Sequence, residues 1–227
     1  MTKKEQVVQL LSSVPYFRAV DAATLSAIAE VATLRQFPAG QTIIHEGEES
    51  AGLFIVQEGY LKSVKISVSG REQVVRVVGS GEVFNAIGVL ASETNPGTVI
   101  ALEDSTVWSI ERQALLRLMD EHPKLGGVII QSLAVRIQQL MQQVEDLSLR
   151  TVEERLARLL IEEAVEGIVL RRKWDTQAEM AARLGTVTDV LNRSLRRLAD
   201  AGIVDVERDQ IRILEMEPLK ALAAIEN

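Results

Sequence analysis

The sequence contains no cysteine among its 227 residues. This absence excludes disulfide bonds, thiol nucleophiles, cysteine-ligated zinc and iron–sulfur clusters held by cysteine. Long apolar runs are missing too: no stretch approaches the roughly 20 residues that a membrane-spanning helix needs. The opening residues, MTKKEQVVQLLSSVPYF, lack the apolar core of a secretion signal,. We therefore expect a cytoplasmic protein.

Common catalytic motifs are absent as well. The chain has no glycine-rich phosphate loop and neither a G-x-S-x-G nor an H-E-x-x-H arrangement,. We therefore predict that it is not an enzyme. Its two histidines, His45 and His122, are far apart in the sequence, so we predict no paired-histidine metal site,.

The composition is that of an ordinary globular chain. With 47% hydrophobic and 25% charged residues, the chain can bury cores in one to two domains,. The formal net charge is −7, so the chain is not basic overall. Any contact with nucleic acid must come from local basic clusters, such as the one formed by Arg193, Arg196 and Arg197.

The segment 176–208, TQAEMAARLGTVTDVLNRSLRRLADAGIVDVER, has the pattern of a helix-turn-helix with a wing. Thr176 is a helix cap, and Gly185 supplies the backbone freedom of a tight turn between two helices. In the second helix, leucines 191, 195 and 198 recur at spacings of four and three residues and predict the buried face. Two short β-branched runs, at 203–206 and 210–214, then predict a two-stranded wing.

The remaining positions of this segment carry side chains that suit DNA. Arginine can donate two hydrogen bonds to guanine, asparagine can pair with adenine, and a short carboxylate can accept from cytosine. An ordinary helical hairpin with a solvated arginine face is the alternative interpretation. The predicted DNA-binding residues are Thr176, Gln177, Thr188, Asp189, Asn192, Arg193, Arg196 and Arg197.

The first half of the chain changes from a helical to a strand pattern. Residues 5–35 predict helices interrupted near Pro15, whereas 36–110 contain short β-branched runs punctuated by glycines,. This spacing predicts an antiparallel β-barrel or jelly roll. The runs include Gln41 to Ile44, Leu53 to Val56, Tyr60 to Val68, Gln73 to Val77 and Val107 to Ile110.

A heptad pattern follows His122-Pro123. Apolar residues alternate at spacings of three and four, with glutamines beside them, so the helix has a narrow apolar stripe. A long helix packed on its own β domain is one explanation; we favour a two-fold dimer, which also lets a small helix-turn-helix contact two half-sites. The predicted dimer residues are Ile130, Leu133, Ile137, Leu140, Val144 and Leu147.

Taken in this order, the chain resembles the cyclic-AMP receptor protein and fumarate–nitrate reductase regulator (CRP/FNR) superfamily over nearly its whole length. The resemblance lies in 39–48, in Glu58-Gly59-Tyr60-Leu61-Lys62, in Gly81-Glu82-Val83-Phe84 and in the helix-turn-helix. It implies an α+β fold and a bacterial, effector-gated transcription factor that binds a two-fold DNA operator as a homodimer. An activator of this kind would contact RNA polymerase. The corresponding domains are a sensing β domain with its helical preface at 1–122, a dimerisation helix at 123–150 and a DNA-binding winged helix at 151–227.

The same resemblance indicates where the chain departs from nucleotide-binding members. Their Gly-Glu pair for the ribose falls on Asn85 and Ala86, and their Arg-Ser pair for the cyclic phosphate falls on Pro96 and Gly97. Without that arginine, a buried phosphate loses charge-assisted hydrogen bonds worth about 1.5–3 kcal/mol each. We therefore predict that the chain does not bind cyclic AMP. The predicted effector pocket comprises Phe84, Asn85, Ala86, Pro96, Gly97, Leu140 and Met141, the last two replacing base-contacting hydroxyls.

The effector itself has several candidates. The stretch FNAIGVLASETNPGTVIALEDSTVWSI and the helix end VEDLSLR are similar to haem-dependent, nitric-oxide-responsive regulators of denitrification. A haem would take His45, His122, a methionine or a backbone terminus as axial ligand. The alternatives are an unidentified small apolar effector and regulation without a ligand. A regulatory module that acts through protein partners without binding DNA is the alternative for the whole chain.

In the family, the helix that reads DNA carries a glutamate, two further residues and then Ser-Arg. Here Asp189 stands for the glutamate, Asn192 for the serine and Arg193 for the arginine. Aspartate is shorter than glutamate, and asparagine prefers adenine. We therefore expect a half-site that differs from the family pattern.

Overall fold

The computed structural model describes residues 3–14, 17, 19–50, 52–91 and 94–223. Pro15, where the helical preface was predicted to break, lies outside these ranges. Within them the chain divides into two compact units, one formed by 1–69 with 75–139 and the other by 70–74 with 140–227. No described helix is both long and apolar enough to cross a membrane.

The first unit begins with the two predicted helices and continues into strands. Asp21 caps α2, where its side chain accepts a hydrogen bond from the Thr24 backbone N–H,. The elements are α1 (Lys3–Ser13), α2 (Ala22–Val31), β1 (Thr33–Phe37), β2 (Thr42–Ile44), β3 (Leu53–Glu58), β4 (Leu61–Ile66), β5 (Glu72–Val78), β6 (Val83–Phe84), α3 (Ala86–Leu90), β7 (Thr98–Ala101), β8 (Ser105–Ile110), α4 (Arg112–Glu121) and α5 (Pro123–Leu149).

The strands form two four-stranded sheets, in the orders β1-β8-β3-β6 and β2-β7-β4-β5. The predicted antiparallel β domain is confirmed. Of the two forms predicted for it, barrel or jelly roll, the structure has the two-sheet form, because the sheets remain separate and pack as a sandwich. In β3, Phe54 and Val56 belong to the core between the sheets, whereas Leu53 and Ile55 belong to a second core. Successive side chains of a strand point to opposite faces, so this strand is buried on both sides.

The second core joins that outer sheet face to the helices. It combines Leu53 and Ile55 with Val7 and Leu11 of α1, and Ile28 of α2 is also part of it. Leu125 and Ile129, in the first turns of α5, complete its helical side. Burial of this sheet face therefore depends on helices from both before and after the strands.

Besides residues 70–74 and the end of α5, the second unit is a small winged helix. Thr151 caps its first helix in a capping box: its side chain accepts from the Glu154 N–H, and the Glu154 carboxylate accepts from the Thr151 N–H,. The leucines of three helices enclose its core, among them Leu156, Leu191 and Leu195. The elements are α6 (Val152–Glu163), β9 (Ile168–Leu170), α7 (Gln177–Arg183), α8 (Thr188–Asp200), β10 (Val204–Val206), β11 (Gln210–Ile213) and α9 (Met216–Leu222).

Candidate functional site

The helix-turn-helix is formed by α7 and α8. Thr176 caps α7 by accepting a hydrogen bond from the Glu179 backbone N–H at 3.2 Å, as the sequence predicted. Gly185, in the turn, has a φ of +66°, a conformation that side chains with a Cβ rarely adopt,. The turn therefore depends on glycine at this position.

Helix α8 has one buried and one exposed face. Leu191, Leu195 and Leu198 are buried in the core of the unit, as predicted. Arg193 and Arg196 are exposed, and each lies about 200° around the helix from a buried leucine two residues away,. The exposed face also carries Asp189 and Asp200, so it presents carboxylates as well as guanidinium groups to solvent,.

Two predicted DNA-binding residues of α8 lie at the border between these faces. Thr188 and Asn192 are half-buried, and the Oδ1 atom of Asn192 is buried without a hydrogen-bond partner among the described residues. Asn192 therefore presents less of its side chain to a ligand than Arg193 does. Thr176 and Gln177, at the start of α7, are exposed.

Arg197 lies beside the exposed face and is the one of these arginines for which the described residues provide an ion-pair partner. Its Nη1 atom is 3.3 Å from Glu153 Oε2, and its side chain remains 75% exposed. An exposed ion pair of this kind contributes about 0–1 kcal/mol, so a phosphate can replace the carboxylate at little cost.

The wing has one strand more than the sequence predicted. Antiparallel β10 and β11 form the predicted hairpin, and β11 also pairs with β9, a strand that the sequence analysis missed. Arg208, in the hairpin turn, is exposed, as are Arg172 and Lys173 in the loop before α7. These basic side chains lie at one end of the small sheet, together with the exposed carboxylates of Glu207 and Asp209.

A buried charge cluster fixes α7 against α6, and sequence reasoning did not find it. Arg183 forms an ion pair with Glu163 of α6, and its Nη1 lies 3.6 Å from Asp175 Oδ1. Burial raises the pKa of Asp175, and the Arg183 guanidinium opposes that shift,. Its three members come from α6, from the loop before α7 and from the end of α7, so no helical spacing links them.

The predicted dimer stripe of α5 is largely solvent-exposed in the single chain. The exposed fractions are 68% for Ile130, 58% for Ile137 and 64% for Val144. Leu147 is also exposed, and Leu133 and Leu140 are half-buried. A row of exposed branched aliphatic side chains on one helix is typical of an interface.

The predicted effector residues are distributed over different environments. Phe84 lies in the sandwich core, stacked on Phe54 with ring centroids 4.9 Å apart. Ala86 begins α3, and Pro96 and Gly97 lie in the bend before β7. Leu140 and Met141 belong to the second unit.

Asn85 forms the centre of a hydrogen-bonded network with Asn95. Its Nδ2 donates to Gly52 O at 2.9 Å and to Asn95 Oδ1 at 3.1 Å. The amide of Asn95 in turn donates to the backbone carbonyls of His45 and Glu49. These bonds join three loops of the sandwich, and no cationic side chain of the described residues takes part in them.

Neither histidine is placed to ligate a haem iron in the cavity of about 540 Å³. His45 is exposed at the end of β2, and the Nδ1 of half-buried His122 lies 3.0 Å from Thr24 Oγ1. Neither histidine lines the cavity of the first unit, which has a volume of about 540 Å³. Its described lining contains no histidine, methionine, tyrosine or cysteine that could ligate a haem iron,. The described residues therefore do not fit a haem at this cavity.

Comparison with known families agrees with this architecture. Residues 34–122 match the cyclic nucleotide-binding domain, and residues 154–222 match the Crp-like helix-turn-helix domain. The second match disfavours the alternative of a module that does not bind DNA.

Individual relatives match along most of the chain. The CRP-like cAMP-activated global transcriptional regulator of Mycobacterium tuberculosis is 24% identical over 217 residues, covering 93% of this chain and 97% of the relative. The cyclic AMP receptor protein of Thermus thermophilus is 24% identical over 193 residues, covering 83% of this chain and 87% of the relative. The solved structure of FixK2 from Bradyrhizobium japonicum has a TM-score of 0.76 at 22% identity and covers 87% of this chain and 100% of that one.

These relatives and the fold are those of transcriptional regulators, not enzymes. The match to both domains, in the order sensing domain, long helix and helix-turn-helix, supports the resemblance found in the sequence. The chain belongs to the CRP/FNR family of DNA-binding transcriptional regulators.

Proposed function

We propose that the chain binds a two-fold operator in double-stranded DNA as a homodimer, with one α8 in the major groove of each half-site. The observation that carries this proposal is the exposed face of α8, where Arg193 and Arg196 stand opposite a buried leucine face. Regulators of this type bind DNA and act as dimers. The second helix of a helix-turn-helix is the one that enters the major groove.

The proposed roles of the side chains follow from exposure. Arg193 reads a base, because it is exposed near the start of α8, the part of such a helix that contacts base edges,. Asp189 and Asn192 complete the base contacts, and Thr188 lies beside them. Thr176, Gln177, Arg196 and Arg197 contact the phosphate backbone.

The proposed dimer forms through the stripe from Ile130 to Leu147. Its exposed aliphatic side chains would be removed from water by the same stripe of a second copy, in an isologous two-fold contact,. Two α8 helices then reach two half-sites, which gives the dimer an affinity that one small winged helix lacks.

The proposed effector is not cyclic AMP. Pro96 and Gly97 carry no charge for a cyclic phosphate, and the neighbouring asparagine network of Asn85 and Asn95 contains no guanidinium. Another effector, or the amount of protein alone, would set the angle between the two winged helices through α5 and the hinge at 148–152. DNA would then select the competent arrangement.

Three further assignments belong to the same proposal. The sensing, dimerising and DNA-binding parts are 1–122, 123–150 and 151–227. RNA polymerase is a partner if the protein activates transcription. A protein that regulates a bacterial chromosome acts in the cytoplasm.

The test is selection of bound duplexes from a random DNA library, followed by fluorescence anisotropy with the enriched sequence. We expect a palindromic consensus with half-sites one helical turn apart and a Kd of about 10⁻⁸ M or lower at physiological salt. Enrichment of no sequence, or of a single unpaired half-site by a monomer, would contradict the proposal.

A further inference from the structure

The first unit contains a cavity that none of the assignments above uses. It lies between the end of α1, strands β5 and β6, and α5, and has a volume of about 540 Å³. This is within the range of roughly 300–1,000 Å³ that is usual for small-molecule sites. Its lining includes Val14, Arg76, Glu82, Val83, Val135 and Arg136.

The charges along this cavity do not balance among the described residues. Arg76 Nη2 donates to Glu82 Oε1 at 2.6 Å, and the other oxygen of Glu82 accepts from the Gly79 backbone N–H at 2.6 Å. Both oxygens of the one lining carboxylate are thus already hydrogen-bonded. Among the described residues, the Arg136 guanidinium donates only to neutral acceptors, Val75 O and Gln139 Oε1, each at 3.2 Å. The described lining therefore carries one positive charge in excess.

Arg136 is also half-buried, which makes its lack of a described carboxylate partner costly. Burial lowers the pKa of Arg136, the neighbouring Arg76 guanidinium lowers it further, and the Glu82 carboxylate opposes part of this shift,. Arginine nevertheless stays protonated in proteins. A partly buried guanidinium that has only neutral acceptors is stabilised most by an anion with two oxygens, because these can accept two parallel hydrogen bonds from its planar N–H groups.

The rest of the lining indicates what is attached to that anion. Val14, Val83, Val128 and Val135 provide apolar walls, and Gln131 and Ser132 provide neutral hydrogen-bonding groups. Apolar walls beside these polar groups favour a ligand with an apolar body and one polar end,.

We propose that this cavity binds a small organic monoanion, namely a carboxylate on an apolar body, with the carboxylate at Arg136 and Arg76. One excess positive charge matches one carboxylate. A phosphomonoester dianion would leave an unpaired negative charge beside Glu82, which disfavours a phosphomonoester here.

The cavity and the dimer stripe use different faces of α5. Ser132 at the cavity and Ile137 in the stripe are five residues apart, which corresponds to about 140° around the helix,. A ligand can therefore contact α5 without the partner subunit. The idea that this ligand is the effector rests on the proposed function. Binding of the ligand to the cavity does not depend on it.

The experiment is calorimetric titration of the full-length protein with octanoate and phenylacetate, and with their neutral amides octanamide and phenylacetamide as matched probes. We expect saturable binding of at least one carboxylate with a Kd of about 1 mM or lower, and affinity at least about tenfold lower for its amide. Arg136→Gln should weaken carboxylate binding about tenfold or more, while Arg136→Lys should retain part of it. Arg117→Gln, at an exposed arginine of α4, is the matched control and should bind as the unaltered protein does.

A second variant keeps the test independent of the arginines. Ser132→Phe leaves every charge in place and fills the cavity, so it should abolish binding, with circular dichroism melting as the check on folding. Equal affinity for carboxylate and amide, unchanged binding in both Arg136→Gln and Ser132→Phe, or no saturation by either carboxylate would overturn the proposal. None of these results depends on DNA binding, so failure of the ligand site and failure of the proposed operator binding can be told apart.

Discussion

Arg193 is the side chain of α8 whose position favours reading a base over contacting phosphate. It is exposed near the start of the helix, and its only described hydrogen bond is a long one of 3.4 Å to the backbone carbonyl of Asp189. Only this weak hydrogen bond has to break before the Arg193 guanidinium can bind another acceptor. Guanine offers two acceptors, N7 and O6, in the geometry of that fork.

We expect Arg193→Ala to weaken operator binding by about 1–3 kcal/mol per half-site and to relax base choice at one position. Binding to random DNA should fall much less, because phosphates dominate there. Anisotropy titrations with the selected operator, with variants of it and with random duplex measure both effects. The base-reading role is wrong if specific and random DNA lose equal affinity.

Arg197→Ala is the matched control for that experiment. In the free protein Arg197 pairs with Glu153, at the side of the exposed face of α8. We therefore propose that Arg197 contacts a DNA phosphate. The substitution should weaken operator and random DNA alike. A change of base preference in Arg197→Ala would instead assign base reading to this residue.

A substitution at Gly185 tests the turn between α7 and α8 rather than a contact with DNA. Because its φ is +66°, alanine there should destabilise the helix-turn-helix by about 1–2 kcal/mol,. Gly127→Ala is the control, since Gly127 lies within α5, where an added Cβ meets no atom within 4 Å. That substitution should leave stability unchanged or raise it by up to about 1 kcal/mol. Amide hydrogen exchange in α7 and α8 measures the local loss, and undiminished protection in Gly185→Ala would contradict the strain argument.

At the scale of the helices, α5 combines an intramolecular and a proposed intermolecular role. Leu125 and Ile129 are buried in the core of the first unit, whereas Ile130 and Ile137 are exposed. Of these apolar residues, the two at the start of α5 are thus buried, and the two farther along are exposed. This change agrees with the narrow apolar stripe of the sequence, which is narrower than that of a helix that only faces a core.

We expect Ile137→Glu to dissociate the dimer without unfolding the chain, because the side chain is already 58% exposed in the single chain. Two carboxylates facing each other across a two-fold seam repel and lose water, which opposes association. Sedimentation velocity should show a monomer at concentrations where the unaltered protein is a dimer. Gln138→Glu adds the same charge at an exposed position off the stripe and should remain dimeric. A dimer that survives Ile137→Glu would place the interface elsewhere.

The regular elements were predictable because each has its own periodicity. The leucine spacing of α8 and the heptads of α5 belong to long segments, and a cap and a turn glycine bounded the helix-turn-helix. Strand β9 was missed because it has only three residues, and a run that short carries no period. The choice between a barrel and a jelly roll stayed open because alternation indicates strands but does not determine whether sheet edges meet.

The site was predictable only where its residues are close together in the chain. The face of α8 lies within one helix, so the sequence pattern alone placed Asp189, Arg193 and Arg196 together. The cavity instead combines Val14, Arg76 and Arg136, which are more than 50 residues apart in the chain. Neither motif nor period links such positions, and only the fold brings them together.

For the whole molecule, the formal net charge of −7 makes local charge decisive. Distant carboxylates are screened beyond a Debye length of about 8 Å at physiological salt, so we expect the arginines of α8 and the few carboxylates beside them to determine the local charge that DNA phosphates meet. The affinity for DNA should therefore depend steeply on salt although the protein is acidic.

That dependence also measures how many copies of α8 engage the operator. Removing one arginine–phosphate interaction lowers the slope of log Kobs against log salt concentration by about 0.9. In a two-fold dimer, Arg197→Ala removes two such interactions, so the slope should fall by about two, whereas for a monomer it would fall by about one. Binding of the selected operator, titrated from low to physiological salt, measures this difference. Arg117→Ala, in α4 of the first unit, should leave the slope unchanged. A fall of about one in Arg197→Ala would mean that a single α8 contacts the operator, and no fall at all would mean that Arg197 meets no phosphate.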